Sequence, residues 1–217
     1  MRILAVADIE SPYYYDYYTP GKLAGFDLIL ACGDLRQEYL EFLATLAPCP
    51  VLYVRGNHDD SYAQDPPGGC ISVEDKIYRC ENGLRILGLG GSYKYRNGEN
   101  MYTERQMRRR VRRLWPRLWW NRGFDILLTH APARHLNDMD SLSHRGFSCF
   151  LDLMDLYRPK YFIHGHIHKN YGMKVPQRSF YGNTTVINAF DYCAFEYDDR
   201  NIRMTLPAWQ CPAPSPL

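Results

Sequence analysis

Short apolar runs that stop on a metal-competent polar residue recur along this chain, and they constrain its fold more than any other feature. Ile3–Ala7 stops at Asp8, with Glu10 two residues on, and Phe26–Cys32 stops at Gly33-Asp34. Val51–Val54 runs into Arg55-Gly56-Asn57-His58-Asp59, and Phe124–Thr129 delivers His130-Ala131-Pro132. The last run, from Tyr161, ends in His164-Gly165-His166-Ile167-His168. Brief apolar runs ended by turn residues read as buried strands. Between the second and third, Gln37–Leu46 has helical spacing (Tyr39, Leu40, Leu43, Leu46) and is stopped by Pro48 and Pro50. That strand–helix–strand rhythm predicts parallel pairing through right-handed crossovers. In such sheets, sites form beyond the carboxyl ends of the strands.

Side chains two apart in extended backbone share a side. His166 and His168 can therefore present both imidazoles to one point, and Asp8 and Glu10 share a face. Alone, each motif has a bland reading: an isolated H-x-H is as often a solvated turn, and an isolated D-x-E more often a cap or loop. Together, Asp8, Glu10, Asp34, Asn57, His58, His130, His166 and His168 make a carboxylate, amide and imidazole set of the right size for two divalent ions. Mixed oxygen and nitrogen ligation without Cys suits Mn, Fe, Zn or Mg. Two ions sharing a carboxylate clamp the attacking and leaving oxygens of an in-line displacement.

The remaining features bound the reading. A chain of 217 residues fits one domain, here expected over residues 1–209, with a disordered tail at 210–217. No apolar run approaches the length of a membrane span, so no membrane partner is expected. Seven scattered Cys, none in a C-x-x-C pair, point to free thiols in a reducing cytoplasm. The net charge of +2 argues neither for nor against nucleic acid. Thr103–Trp120 reads as a helix capped by Thr103 and kinked or ended by Pro116, with Arg105, Arg108, Arg109, Arg110, Arg112 and Arg113 around an apolar stripe. The favoured reading is a sheet-covering helix whose Arg are solvated or paired; nucleic acid or anionic lipid is the alternative. Tyr13, Tyr14, Tyr15, Tyr17 and Tyr18 form either an aromatic wall over a pocket or a packed surface loop. The segments after His168, including Ile202-Arg203-Met204, read as a closing β-meander.

Taken in order, Asp8-x-Glu10, Gly33-Asp34, Gly56-Asn57-His58-Asp59, Thr129-His130-Ala131-Pro132 and Gly165-His166-Ile167-His168 resemble the signature of the calcineurin-like metallophosphoesterase superfamily. The resemblance extends from residue 8 to 168. It implies an α/β four-layer αββα sandwich, two mixed β-sheets flanked by helices, with a dinuclear metal site on loops at the strand ends. It further implies that Asp34 bridges the ions, that Asp8 and His168 serve the first, and that Asn57, His130 and His166 serve the second. His58 would contact the phosphate and protonate the leaving alcohol, so that His58, Asp34 and Asn57 form the implied catalytic set. The departure is Glu10, where the family carries His. A harder carboxylate ligand there favours Mn, Fe or Mg over Zn, and Mn is the expected ion.

The implied activity is hydrolysis of small or nucleotide-like phosphate esters, as phosphodiesterase or phosphatase, by a metal-bridging hydroxide. Leu35-Arg36-Gln37 after Asp34 lacks the Asp-Arg-Gly of the Ser/Thr protein phosphatases. Arg145 stands where it can bind a substrate phosphate bidentately or form a surface ion pair, while His135 and His164 are read as structural. Two rivals remain: a non-catalytic scaffold on the same fold, and a nuclease using the Arg-rich helix.

Overall fold

The computed structural model describes residues 1–168 and 175–198. Strand β1 (Arg2–Ala7) is buried from Ile3 onward, and β2 (Leu28–Ala31) is buried throughout. Helix α1 (Gln37–Leu46) leads from it to the equally buried β3 (Val51–Tyr53). Next come β4 (Ile71–Ser72), β5 (Lys76–Arg79), β6 (Arg85–Leu89), the short pair β7 (Ser92–Tyr93) and β8 (Met101–Tyr102), and α2 (Glu104–Trp120). The order closes with β9 (Ile126–Thr129), α3 (Ser148–Tyr157), β10 (Tyr161–His164), β11 (Arg178–Tyr181), β12 (Thr184–Asn188) and β13 (Asp191–Glu196).

One sheet has the order β13-β1-β2-β3-β4 and the other β11-β12-β10-β9-β6-β5. Pairings β1–β2 and β2–β3 are parallel, as are β6–β9, β9–β10 and β10–β12. Parallel strands covered on both faces read as continuous apolar runs, which is why alternation is missing from them. The faces divide cleanly. Ile3, Ala5, Leu28 and Leu30 meet Ile126, Leu128 and Ile163 between the sheets. Leu4, Val6 and Ile29 point the other way, onto Tyr39, Leu40 and Leu43 of α1. Leu127 and Phe162 face Met107 and Leu114 of α2 and Phe150 and Leu153 of α3. The result is the four-layer αββα sandwich.

A buried ion pair ties the far end of this stack. Arg85 Nη2 meets Asp125 Oδ1 at 2.6 Å, and Arg85 Nη1 donates to the carbonyls of Asn121 and Arg122. The starts of β6 and β9 are thereby fixed to the end of α2.

Two expectations change, and one of two readings is selected. Pro116 does not end α2, which runs on to Trp120 with Thr103 as a complete capping box. Its ring sits on the solvent side, where the hydrogen bond it denies to the preceding turn can be replaced by water. The last strands are not a meander. β12 lies parallel to β10, and after Asp191 (φ 64°) β13 joins the other sheet antiparallel to β1. The Tyr loop is packed rather than a pocket wall: Tyr14 is buried against Phe26 and Tyr192, while Tyr15 and Tyr18 meet Phe42 edge-on. Ile202–Met204 and the 210–217 tail lie outside the described residues.

Candidate metal centre

The carboxyl ends of β1, β2, β9 and β10 meet at one edge of the sandwich. There the backbone leaves ordinary conformations: Asp8 (φ 70°), Asp34 (φ 55°) and His166 (φ 69°) are all left-handed without being Gly. Such strain persists where surrounding structure over-determines it, and it concentrates at functional sites. Glycines permit the approach. A Cβ on Gly56 would stand 2.0 Å from Asp34 Oδ1, and one on Gly165 would stand 2.9 Å from Asp8 Oδ2.

His130 is fully buried and its Nδ1 lies 2.7 Å from the Cys32 carbonyl. A carbonyl only accepts, so Nδ1 carries the proton. His166 is fixed in the same way, with Nε2 2.7 Å from the Ser143 carbonyl. The inward nitrogens, His130 Nε2 and His166 Nδ1, are then 3.0 Å apart. Asn57 Oδ1 is 3.1 Å and Asp34 Oδ2 3.3 Å from the same His130 Nε2. Neighbouring ligands at right angles around an ion with bonds of about 2.1 Å are themselves about 3 Å apart, so the four donors fit a divalent ion. Carbonyl partners that fix the imidazole tautomer are what metal-ligating His ordinarily has.

The charges agree. Burial works against ionising both Asp34 and His130, but each outweighs it for the other. His130, with the Asp34 hydrogen bond, is pushed up to about 9, and Asp34 is held well below the usual carboxylate range. Burial, then the charge of His130, pushes His166 down to about 3. In the metal-free protein a proton on His130 therefore stands where a cation fits.

Asp8 and His168 stand apart from this group. The buried Asp8 carboxylate accepts from the His166 backbone N–H at 2.9 and 3.0 Å, and its Oδ1 is 3.6 Å from His168 Nε2. Glu10 is engaged by Arg36: its Oε1 accepts from Arg36 Nε at 2.9 Å and from Arg36 N at 3.2 Å. Among the described residues, the three-member group of His and carboxylate ligand atoms is Asp34, His130 and His166. The first-ion position implied by sequence is thus only partly gathered.

His58 is exposed at the rim, and its backbone N–H donates to Asp34 Oδ1 at 2.8 Å. Arg145 lies two residues beyond Ser143, whose carbonyl holds His166. Its guanidinium lies over Tyr93, 5.5 Å from the ring centroid, and its buried Nε has no hydrogen-bond partner among the described residues. His164 is fully buried, bonded through Nδ1 to the Gly165 carbonyl. Asp59, which closes the Gly-Asn-His-Asp motif, is a positioning residue. Asp59 Oδ2 accepts from Asp34 N at 2.8 Å and Gly56 N at 2.6 Å, joining two strand-end loops. Burial, then the Asp34 charge, pushes its carboxyl up to about 6.

Comparison with known proteins agrees with this architecture. A solved structure, TT1561 of Thermus thermophilus, superposes with a TM-score of 0.59 at 16% identity, covering 88% of this chain and 89% of that one. Another reaches 0.63 at 13% identity, covering 89% and 93%. At such identities the likeness is one of fold. In sequence, the chain is 26% identical over 190 residues to the UPF0046 protein K07C11.7 of Caenorhabditis elegans, covering 75% of this chain. It spans 62% of that relative's length, less than two thirds. The family model described as calcineurin-like phosphoesterase matches residues 1–170, and the chain belongs to that family.

Proposed function

We propose that this chain is a metal-dependent phosphoric ester hydrolase acting on small or nucleotide-like esters. The observation that carries the reading is the convergence of Asp34 Oδ2, Asn57 Oδ1 and His166 Nδ1 on His130 Nε2, with both tautomers held by carbonyls. A divalent ion held there, with Mn the favoured one, supplies Lewis-acid stabilisation of the phosphoryl oxygens and an acidified water as nucleophile. The chain's own residues do the rest. His58, held by its backbone against Asp34 and open to solvent, hands a proton to the leaving alkoxide. Arg145 offers a guanidinium to a non-bridging phosphate oxygen, oriented by Tyr93. Asp8 and His168 offer donors for a second ion, and Glu10 joins them only on leaving Arg36.

The test is hydrolysis of bis-p-nitrophenyl phosphate and p-nitrophenyl phosphate with Mn, Mg, Zn and Fe(II). His58→Ala is expected to lose about 10²–10⁴ in rate, with the preferred ester separating diesterase from monoesterase. Failure to turn over either ester while binding no metal would remove the enzyme reading. It would leave the non-catalytic scaffold, a reading the Glu10–Arg36 pair favours because it withdraws a donor from one ion position.

A further inference from the structure

Helix α2 carries a surface that the metal centre does not use. Its inner side packs Met107, Leu114 and Leu118, and buried Arg110 is paired with Glu74 and Asp75. Arg108 is paired with Glu104 and Asp152. The carboxylates beside the helix are therefore engaged by these two Arg. Arg105, Arg109, Arg112 and Arg113 are exposed and line one shallow depression, and among the described residues none is in an ion pair. The following turns expose Trp115 (43%), Trp119 (55%) and Trp120 (79%). At 3.6 residues per turn the four Arg and three Trp fall within an arc of roughly 160°. Arg108 and Arg110 are thus paired while the outer four are solvated, the two fates expected of this helix.

Three large indoles exposed on one helix face are an apolar patch of the kind that marks an interaction site. A partner must therefore supply anions and an apolar layer together, in one plane. Lipid headgroups supply both: Trp favours the membrane interface, and Arg pairs with phosphate through a planar fork. Single-stranded nucleic acid would call for stacking rings interleaved with cations along a groove. Here the outward cations (Arg105 to Arg113) precede the rings (Trp115 to Trp120) along an outer-layer helix, and Arg117, between the rings in sequence, donates instead to the Asp75 carbonyl at 2.9 Å. We infer that the outer face of α2 docks this chain on an anionic lipid surface, lying in the headgroup plane. Such docking needs no spanning segment; among the described residues no helix is long and apolar enough to cross a membrane.

The experiment is co-sedimentation of the full chain with phosphatidylcholine vesicles, with and without about one-third phosphatidylserine. Binding is expected only with the anionic lipid, weakening as salt rises, together with a blue shift of Trp fluorescence. Because Arg109 and Arg113 are exposed, Arg109→Ala with Arg113→Ala should keep the melting temperature while lowering the partition coefficient roughly 25-fold, about fivefold per Arg. Trp119→Ser with Trp120→Ser should reduce the blue shift to what Trp115 contributes. The inference is overturned by no binding to anionic vesicles, by unchanged partitioning of the Arg variant, or by a single-stranded oligonucleotide displacing the vesicles at equal charge concentration.

Discussion

His130 Nε2 and His166 Nδ1 face one another at 3.0 Å, each with its opposite ring nitrogen already donating to a backbone carbonyl. Two bare lone pairs at that distance repel, so something positive must stand between or on them. Without metal it is the proton that Asp34 stabilises on His130, which is held well above its ordinary value. Metal binding must displace that proton. Titration of Mn into lightly buffered, metal-free protein at neutral pH should release about one proton per ion, and His130→Ala should release none.

Asp59 holds the site through two backbone N–H groups, those of Asp34 and Gly56. Asp59→Ala leaves both donors buried without a partner, at about 1–3 kcal/mol each. Urea denaturation should show a loss of roughly 2–6 kcal/mol, and Mn affinity should fall because Asp34 is no longer fixed. Asp59→Asn keeps an acceptor and should restore part of both.

Glu10 is paired with Arg36 in an ion pair whose Arg side chain is 68% exposed. Pairs of that kind contribute about 0–1 kcal/mol, so Glu10 is withdrawn but not locked away. Metal analysis should find one tightly bound equivalent and a weaker second. Glu10→His should strengthen the second by about tenfold or more, whereas Arg36→Ala, which frees the native carboxylate, should strengthen it less.

Burial of His164, only partly offset by its hydrogen bond to Gly165, lowers it from 6.5 to about 4. The imidazole is neutral in the fold, whereas the unfolded chain takes up a proton below about 6.5. Between those values the unfolded state binds more protons, so stability is lost as pH falls from 6.5 toward 4, by up to about 3 kcal/mol. Denaturation of EDTA-treated protein across this range should show the slope. His164→Asn, which still donates to the Gly165 carbonyl but does not titrate, should remove that part of the slope and leave the part that the lowered His166 contributes.

The Arg85–Asp125 pair, with side chains only 6% and 7% exposed, is a second point of fragility far from the metal edge. Asp125→Ala leaves a buried guanidinium without its carboxylate and should cost about 3–5 kcal/mol in thermal or urea unfolding. Metal affinity in the surviving folded fraction should not change.

What was legible in the chain, and what was not, divides on a physical line. Asp8, Asp34, Asn57, His130 and His166 could be found because each places a reactive side chain at the end of an apolar run. The parts that orient them had no such mark. Cys32 and Ser143 act through carbonyl oxygens that any residue would provide, and Asp59 acts on N–H groups contributed by other residues of the site loops. The Glu10–Arg36 pair joins two residues 26 apart and follows from the course of the loops, not from spacing. Pro116 misled because the rule against it weighs a lost hydrogen bond, a loss that is small on a solvated face.

The proposed hydrolysis depends on a divalent ion held by Asp34, Asn57, His130 and His166. The most direct test is the rate of bis-p-nitrophenyl phosphate hydrolysis against Mn concentration, for metal-free wild type and His130→Ala. Expected are no turnover in EDTA, saturable activation by Mn in the wild type, and at least about a 100-fold loss of Mn affinity or rate in the variant. Turnover that ignores EDTA, or a variant that saturates like the wild type, would contradict it.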